Sequence, residues 1–121
     1  MSKDTDAVVA IERGFWTRSN DATYFADNIA DGGVTVIEPM GIIEKQVAVG
    51  STKAGHVFTD VELADTVARE VAPGVIVLAY HGQGRSPDGK MHYASVCSVY
   101  VQRDGRWRSV ASAHQPWKPE A

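Results

Sequence analysis

The chain has 121 residues, of which 44% are hydrophobic and 22% charged, and its formal net charge is −3 at pH 7. This length and composition fit one globular domain over residues 1–121, and without a stripe of lysine and arginine we expect neither nucleic acid nor a membrane surface as partner. The chain has 1 cysteine and therefore no internal disulfide, and its N-terminus lacks the apolar core of a signal peptide. We therefore expect a cytoplasmic location.

The N-terminal part predicts two helices. Apolar residues recur at roughly helical spacing from Asp4 to Ser19, with Glu12 turned away from the buried face. The segment Ser19-Asn20-Asp21 would end this helix and cap a second one from Ala22 to Ile29. The glycines of Asp31-Gly32-Gly33 then predict a turn.

The middle of the chain predicts strands with one short helix between them. In chain order we expect a strand from Val34 to Glu38, a helix near Glu44 to Val49, a strand from Phe58 to Ala72, and the most apolar strand from Val75 to Gly82. The long strand carries polar groups at intervals and is expected to bend near Ala64-Asp65.

The register of the next hairpin depends on its turn. A loop of three residues, Pro87-Asp88-Gly89, pairs His81 with Ser95. A shorter Asp88-Gly89 loop would put Tyr80 opposite instead, because a slip of one residue exchanges the faces of a strand. We favour the longer loop, since proline suits the first corner of a type I turn.

The segment from Met91 to Trp117 predicts a final hairpin that folds at Asp104-Gly105, a dipeptide suited to a type I′ turn. The opposed pairs are then Val101 with Arg108, Val99 with Val110, Cys97 with Ser112, and Ser95 with His114. One face mixes polar and apolar groups, as a pocket wall does: Tyr93, Ser95, Cys97, Val99, Val110, Ser112 and His114. The other face would point away from the helices as an interaction surface: Ala94, Val96, Ser98, Tyr100, Trp107, Ser109, Ala111 and Ala113.

This order of elements predicts the α+β class. Helices followed by long antiparallel strands are satisfied by a sheet with the helices on one face. We expect a curved, mainly antiparallel sheet that wraps the N-terminal helices around a cone-shaped pocket.

Two motifs, VTVIEPMG early and DGRWRSVASAHQ late, resemble the nuclear transport factor 2-like (NTF2-like) superfamily, and within it the SnoaL-like proteins. The resemblance spans nearly the whole chain. It implies a single cone-shaped domain and a homodimer formed through the outer face of the sheet. The fold hosts enzymes, binding modules and assembly domains alike, so it does not fix the activity.

Within that superfamily, Glu38-Pro39-Met40-Gly41 is similar to the segment where ketosteroid isomerases carry a general-base aspartate before proline. By position, Glu38 would be the base, His114 would stand in the wall of the site, and Cys97 would replace the aspartic acid of the oxyanion hole. The tyrosine of their first helix has no counterpart, because Gly14 to Trp16 occupies that region. The resemblance therefore does not support steroid isomerisation.

Two residues are candidates for catalysis. Glu38 shares its strand parity with Val34 and Val36, and desolvation on an apolar wall would raise its pKa, as suits a general base. The alternative is a strand-end glutamate that reaches solvent or an arginine. His114 would shuttle a proton or bind a polar group of a ligand, or be satisfied by neighbouring hydroxyls.

Further residues are expected to contact the ligand: Trp16, Tyr24, Phe25, Met40, His81, Tyr93, Ser95, Cys97 and Ser112. The histidine spacings match no metal motif, so we expect neither a metal nor a cofactor.

The leading interpretation is a small-molecule pocket protein, in its specific form a metal-free proton-transfer enzyme of isomerase, cyclase or lyase type. Its substrate would be an apolar cyclic or polyketide-like compound. The alternative is a non-catalytic module for ligand binding or dimerisation. The enzyme requires Glu38 and His114 to lie a few ångströms apart and face one void, with Glu38 free of an ion pair. A module would instead show a filled or collapsed cavity, or a Glu38–arginine pair.

Overall fold

A computed structural model describes residues 2–119 of the chain. Its helices and strands, in chain order, are α1 (Lys3–Thr17), α2 (Ala22–Asn28), β1 (Ile29–Ile37), β2 (Gly41–Glu44), α3 (Lys45–Ser51), β3 (Thr59–Ala72), β4 (Val75–Arg85), β5 (Met91–Arg103) and β6 (Arg106–Pro116), with a 3-10 turn at Thr52–Ala54 after α3. Within the described range, no helix combines the length and the apolar character that a membrane crossing requires.

The predicted first helix is confirmed. The hydroxyl of Ser2 caps it by accepting a hydrogen bond from the Thr5 amide at 3.2 Å. Along the helix, Val8, Glu12 and Trp16 are buried at intervals of four residues and therefore lie on one face. The expectation that Glu12 turns away from the core is wrong.

The second predicted helix is also confirmed, with Asp21 as its cap. The segment Asp31-Gly32-Gly33, predicted as a turn, instead lies inside β1. Its pairing with β6 is interrupted between Ile29 and Val34, and Gly32 there has a φ of +79°. The short helix predicted near Glu44 is confirmed as α3, but the strand β2 that precedes it was not predicted.

The six strands form one mixed sheet in the order β2-β1-β6-β5-β4-β3. Every neighbouring pair is antiparallel except β1 and β6, which run parallel. The sheet curves around the helices without closing, so the expected α+β cone is confirmed. At Ala64-Asp65, where a bend is predicted, β3 is irregular, since its pairing with β4 shifts between Ala64 and Val67.

The hairpin of β4 and β5 has the predicted register. His81 pairs with Ser95, and the Gly89 amide donates to the Ser86 carbonyl at 2.9 Å to close the turn. Gly89 has a φ of +86°, which a residue with a side chain rarely adopts.

The hairpin of β5 and β6 departs from its predicted register at a β-bulge. Near the Asp104-Gly105 turn the prediction is confirmed, since Val101 pairs with Arg108. Val99 then pairs with Ala111 rather than Val110, because the pairing shifts by one residue between Val99 and Tyr100. The predicted pairs beyond that point are therefore wrong: Cys97 faces Ala113, Val96 faces His114, and Ser98 faces Ser112.

The two faces of this hairpin are assigned differently from the expectation. Tyr100 and Trp107, expected to point away from the helices, are 0% and 7% exposed and pack against α1. Only Ala111 and Ala113 lie on the outer face as expected, because the bulge exchanges the faces of β6 beyond Ser109. The core thus forms between α1 and the inner face of the sheet, from Val8, Trp16, Ile76, Leu78, Tyr80, Val96, Tyr100 and Trp107.

Candidate functional site

A cavity of about 450 Å³ lies between the helices and the inner face of the sheet. This volume falls in the range of small-molecule sites, which are mostly apolar with a few polar groups. Its apolar lining consists of Phe15, Trp16, Phe25, Ile29, Ile37, Met40, Ile43 and Phe58. Its polar lining includes Glu12, Glu38, Ser109, Ser112 and His114.

The carboxylate of Glu12 is the most buried charged group beside this cavity, with 3% of the residue exposed. It accepts hydrogen bonds from the Tyr100 hydroxyl at 2.6 Å, the Tyr80 hydroxyl at 2.7 Å and the Ser98 hydroxyl at 3.2 Å. Burial raises the pKa of Glu12, and the three donors oppose that rise because they stabilise the ionised form.

Two tyrosines hold this carboxylate from adjacent strands. Tyr80 Oη also accepts a hydrogen bond from Trp16 Nε1 at 3.0 Å, so its own proton is directed at Glu12. Burial and the nearby Glu12 charge raise the pKa of both Tyr80 and Tyr100. Both hydroxyls therefore keep their protons and act as donors.

The hydrogen bonds continue from Glu12 to His114. Ser98 Oγ lies 3.0 Å from Ser112 Oγ, and Ser112 Oγ lies 3.1 Å from His114 Nε2. Burial lowers the pKa of His114 from 6.5 to about 4, so its imidazole is neutral at neutral pH. An unbroken series of polar contacts thus joins a helix carboxylate to the cavity wall.

The bulge in β6 is what brings Ser112 and His114 to the inner face. Because of the shift, Ser112 pairs with Ser98 and His114 with Val96, both of which point inward. On its other side β6 runs parallel to β1, where His114 pairs with Ile37. The histidine is thereby fixed in the middle of the sheet, beside the end of β1.

Glu38 follows Ile37 in the turn after β1 and lies at the mouth of the same cavity. It is exposed, and its expected burial on an apolar wall is wrong, because Val34 and Val36 lie on the outer face with 37% and 38% exposure. Between Ser2 and Pro119, Glu38 makes no ion pair. Glu38 and His114 therefore border the same cavity.

Five of the residues expected to contact a ligand border the cavity, namely Trp16, Phe25, Met40 and Ser112, with Tyr93 at its rim. Tyr24 does not. Its ring packs edge-on against Phe15 at a centroid distance of 5.6 Å, and its hydroxyl donates to the Ile11 carbonyl at 2.9 Å. Its role is to join α2 to α1.

The remaining expected residues lie on the outer face, because the faces of β5 are the reverse of those predicted. His81 stacks on Trp117 at 4.0 Å and contacts the Asp65 carboxylate through Nδ1 at 3.1 Å. His81, Ser95 and Cys97 border an outer groove of about 510 Å³ rather than the inner cavity. Tyr93 reaches the rim of the inner cavity, but its ring lies beside Trp117.

Glu12 is the residue that sequence reasoning missed. A signal was present, since Glu12 stands four residues from both Val8 and Trp16 and so shares their helix face. Its partners Tyr80 and Tyr100 come from distant strands, and the helix pattern alone does not indicate them. Within residues 2–119, no group of three or more histidine, cysteine, aspartate or glutamate side chains is placed to hold a metal ion.

No protein-family model matches the sequence, and no curated protein sequence matches it. Solved structures match it closely in shape. An NTF2-like protein from Cytophaga hutchinsonii has a TM-score of 0.80 at 14% identity, covering 97% of this chain and 100% of that one. An NTF2-like protein of unknown function in nutrient uptake from Rhodospirillum rubrum has a TM-score of 0.80 at 17% identity, covering 96% and 100%.

The association domain of C. elegans CaMKII is also similar, with a TM-score of 0.70 at 14% identity and 93% of each chain covered. The chain therefore has the NTF2-like fold, as the resemblance of its motifs implies. Its place in the SnoaL-like branch stays a prediction.

Proposed function

We propose that the protein binds a small apolar molecule in the inner cavity and transfers a proton on it, with the imidazole of His114 as the proton acceptor. The observation that carries this proposal is a neutral imidazole on the wall of an apolar cavity. Within residues 2–119 its Nδ1 makes no hydrogen bond, and it is not sealed from solvent. A free imidazole nitrogen facing a cavity is suited to general base catalysis.

Glu38 would be the second proton-transfer group. Its exposed carboxylate at the cavity mouth is suited to exchange protons between solvent and a bound molecule. The reaction class is an isomerisation, cyclisation or elimination that begins with removal of a proton from an apolar cyclic or polyketide-like compound. Such a reaction needs no oxidant and no reductant.

The test is deuterium incorporation into 2-tetralone, an apolar bicyclic ketone with acidic α protons, followed by NMR in heavy water. We expect the protein to accelerate the exchange and His114→Gln to reduce that acceleration by about 100-fold, the usual contribution of a general base. Ser95→Ala, on the outer face of β5, is the matched control and should exchange at the wild-type rate. Exchange that survives both His114→Gln and Glu38→Gln would show that neither group transfers the proton.

A second proposal, self-association, is supported by the outer face of the sheet. One row of small and apolar residues crosses all six strands through paired positions: Ile42, Val36, Ala113, Cys97, Ala79 and Val67. Ile42 is 77% exposed, and Val67 is 45% exposed. A continuous apolar surface of this kind is typical of a protein–protein interface. The similar C. elegans structure is itself called an association domain.

The neighbouring row supports a homodimer in particular. It runs Glu44, Val34, Ala111, Val99, Val77, Arg69, so that opposite charges stand at its two ends. A twofold axis along the strands between β5 and β6 would place each Glu44 opposite Arg69 of the partner subunit. Such pairing favours an isologous, face-to-face dimer.

Light scattering during size-exclusion chromatography tests the dimer. We expect a dimer for the wild type, a dissociation constant raised about tenfold by Arg69→Glu, and recovery when Glu44→Arg is added. The monomeric mass for the wild type at high concentration would contradict the proposal. A dissociation constant that Arg69→Glu leaves unchanged would show that the dimer forms through another surface.

A further inference from the structure

We propose that Glu12, Ser98 and Ser112 form a proton relay behind His114, in which the buried carboxylate takes up the proton equivalent that the imidazole removes from a molecule in the cavity. The proposal rests on the proton-transfer function of the cavity and adds the groups that make it work. It is carried by the hydrogen bonds between Glu12 and His114, whose directions follow from counting protons.

The directions follow because each serine hydroxyl has one proton to donate. Ionised Glu12 only accepts, so Ser98 donates to it across 3.2 Å. With its proton committed, Ser98 must accept from Ser112 across 3.0 Å. Ser112 in turn must accept from His114, so Nε2 carries the imidazole proton across 3.1 Å.

The consequence concerns the other imidazole nitrogen. A neutral imidazole has one N–H, so Nδ1 holds a lone pair while Glu12 is ionised. Nδ1 is also the nitrogen without a hydrogen-bond partner among residues 2–119. The charged carboxylate, two serines away, thus selects the tautomer of His114 that can accept a proton.

Proton removal then proceeds by four proton transfers, in which His114, Ser112 and Ser98 each gain one proton and give up another. A C–H bond of the substrate breaks, its electron pair stays on the substrate as an enolate, and the proton joins Nδ1. The Nε2 proton passes to Ser112, the former Ser112 proton to Ser98, and the former Ser98 proton to Glu12 Oε2. His114 ends neutral as the other tautomer, and the reverse sequence returns a proton to the substrate.

This relay explains why a histidine that is hard to protonate would serve as a base. Burial lowers the pKa of His114 to about 4, so a stored imidazolium would be unfavourable. Burial raises the pKa of Glu12, so its carboxylate takes up a proton more readily than an exposed glutamate does. The groups that face Glu12 are Tyr80 from β4, Tyr100 and Ser98 from β5, and Tyr24 from α2. Glu38 borders the same cavity as His114.

The test begins with the tautomer of His114, read by nitrogen NMR of protein labelled at histidine, because this readout needs no ligand. At neutral pH we expect the proton on Nε2 in the wild type and a mixture of tautomers in Ser112→Ala. Ser112→Thr keeps the hydroxyl and should restore the Nε2 proton, and Ser95→Ala should match the wild type. A wild-type proton on Nδ1, or a Ser112→Ala spectrum equal to that of the wild type, would overturn the relay.

The second readout is deuterium exchange of 2-tetralone with the same variants. We expect Ser112→Ala to slow the exchange about tenfold, less than the loss of the base itself, with unchanged affinity for 2-tetralone and recovery in Ser112→Thr. Exchange that depends on His114 but not on Ser112 would overturn the relay and leave the proposed function standing. A wild type that does not accelerate exchange would overturn the proposed function, while the tautomer still decides whether Glu12 controls His114.

Discussion

The carboxylate of Glu12, in the first helix, and the imidazole of His114, in the last strand, are connected through the hydroxyls of Ser98 and Ser112. The connection joins the two ends of the described chain through the core rather than over the surface. Because an unpaired buried polar group is costly, each member of the series is expected to affect both stability and the cavity wall.

Replacing Tyr100 by phenylalanine tests the value of the carboxylate's shortest hydrogen bond. The change removes a donor 2.6 Å from Glu12 Oε1 at a fully buried position. We expect a loss of about 1–3 kcal/mol in the free energy of unfolding, as for other hydrogen bonds to charged groups. Urea denaturation at neutral pH measures it. Tyr93→Phe is the control, because the Tyr93 hydroxyl makes no hydrogen bond among residues 2–119, and it should change stability by less than about 0.5 kcal/mol. Equal losses in both variants would contradict the assignment.

His114 should make the protein less stable as the pH falls. Its folded pKa of about 4 lies below the unfolded value of 6.5, so the unfolded chain binds the proton first. The contribution of neutral His114 to the free energy of unfolding is fully present above pH 6.5 and is lost as the pH falls towards 4. The total loss is about 3 kcal/mol. Urea denaturation across this range should show a slope in the wild type that His114→Gln lacks. Parallel stability curves for the two proteins would refute the depressed pKa.

Glu12 should have the opposite effect. Its pKa is raised in the folded state above the usual 4.5, so its contribution is fully present below pH 4.5 and is lost as the pH rises through the folded pKa. Relative to Glu12→Gln, the wild type should therefore lose stability on going from acidic to neutral pH. The difference between the two unfolding free energies at each pH isolates this effect from that of His114. If the stability of the wild type relative to Glu12→Gln instead rises from acidic to neutral pH, the hydrogen bonds to Glu12 lower its pKa by more than burial raises it.

Gly82 should not tolerate a side chain. A Cβ there would lie 2.5 Å from Trp16 Cζ2 and 2.8 Å from Tyr80 Cε2, so the tryptophan that lines the cavity would have to move. We expect Gly82→Ala to destabilise the fold by about 1–3 kcal/mol through overpacking. Gly50→Ala is a matched control, because that glycine lies in α3 with open space around it. It should stabilise by about 0.5–1 kcal/mol. Thermal and urea unfolding compare the two.

The sequence predicted the elements and turns that depend on local chemistry. Proline and glycine in Pro87-Asp88-Gly89 determined the register of His81 with Ser95, and Asp104-Gly105 determined the other turn, where both residues have positive φ. These features involve residues close together in the chain, so their patterns are visible without the fold.

The bulge near Val110 was not predictable in the same way. No glycine or proline marks it, and Val110 is an ordinary strand residue. The burial of Glu12 was missed for a related reason, because its partners on β4 and β5 are distant in sequence. The lining of the cavity was therefore predicted in part: His114 and Ser112 were placed on its wall, whereas His81, Ser95 and Cys97 were placed on the wrong face of the sheet.

The bulge also bears on how such a cavity changes during evolution. Insertion of one residue into β6 just before Ala111, taken up in the pairing rather than in a wider bulge, would reverse the facing of every later position and put Ala111 and Ala113 at the inner wall in place of Ser112 and His114. One genetic event would thus convert a polar wall into a methyl-lined one without any substitution. Alignments of relatives that lack a gap at this point would compare inner residues with outer ones and conceal that exchange.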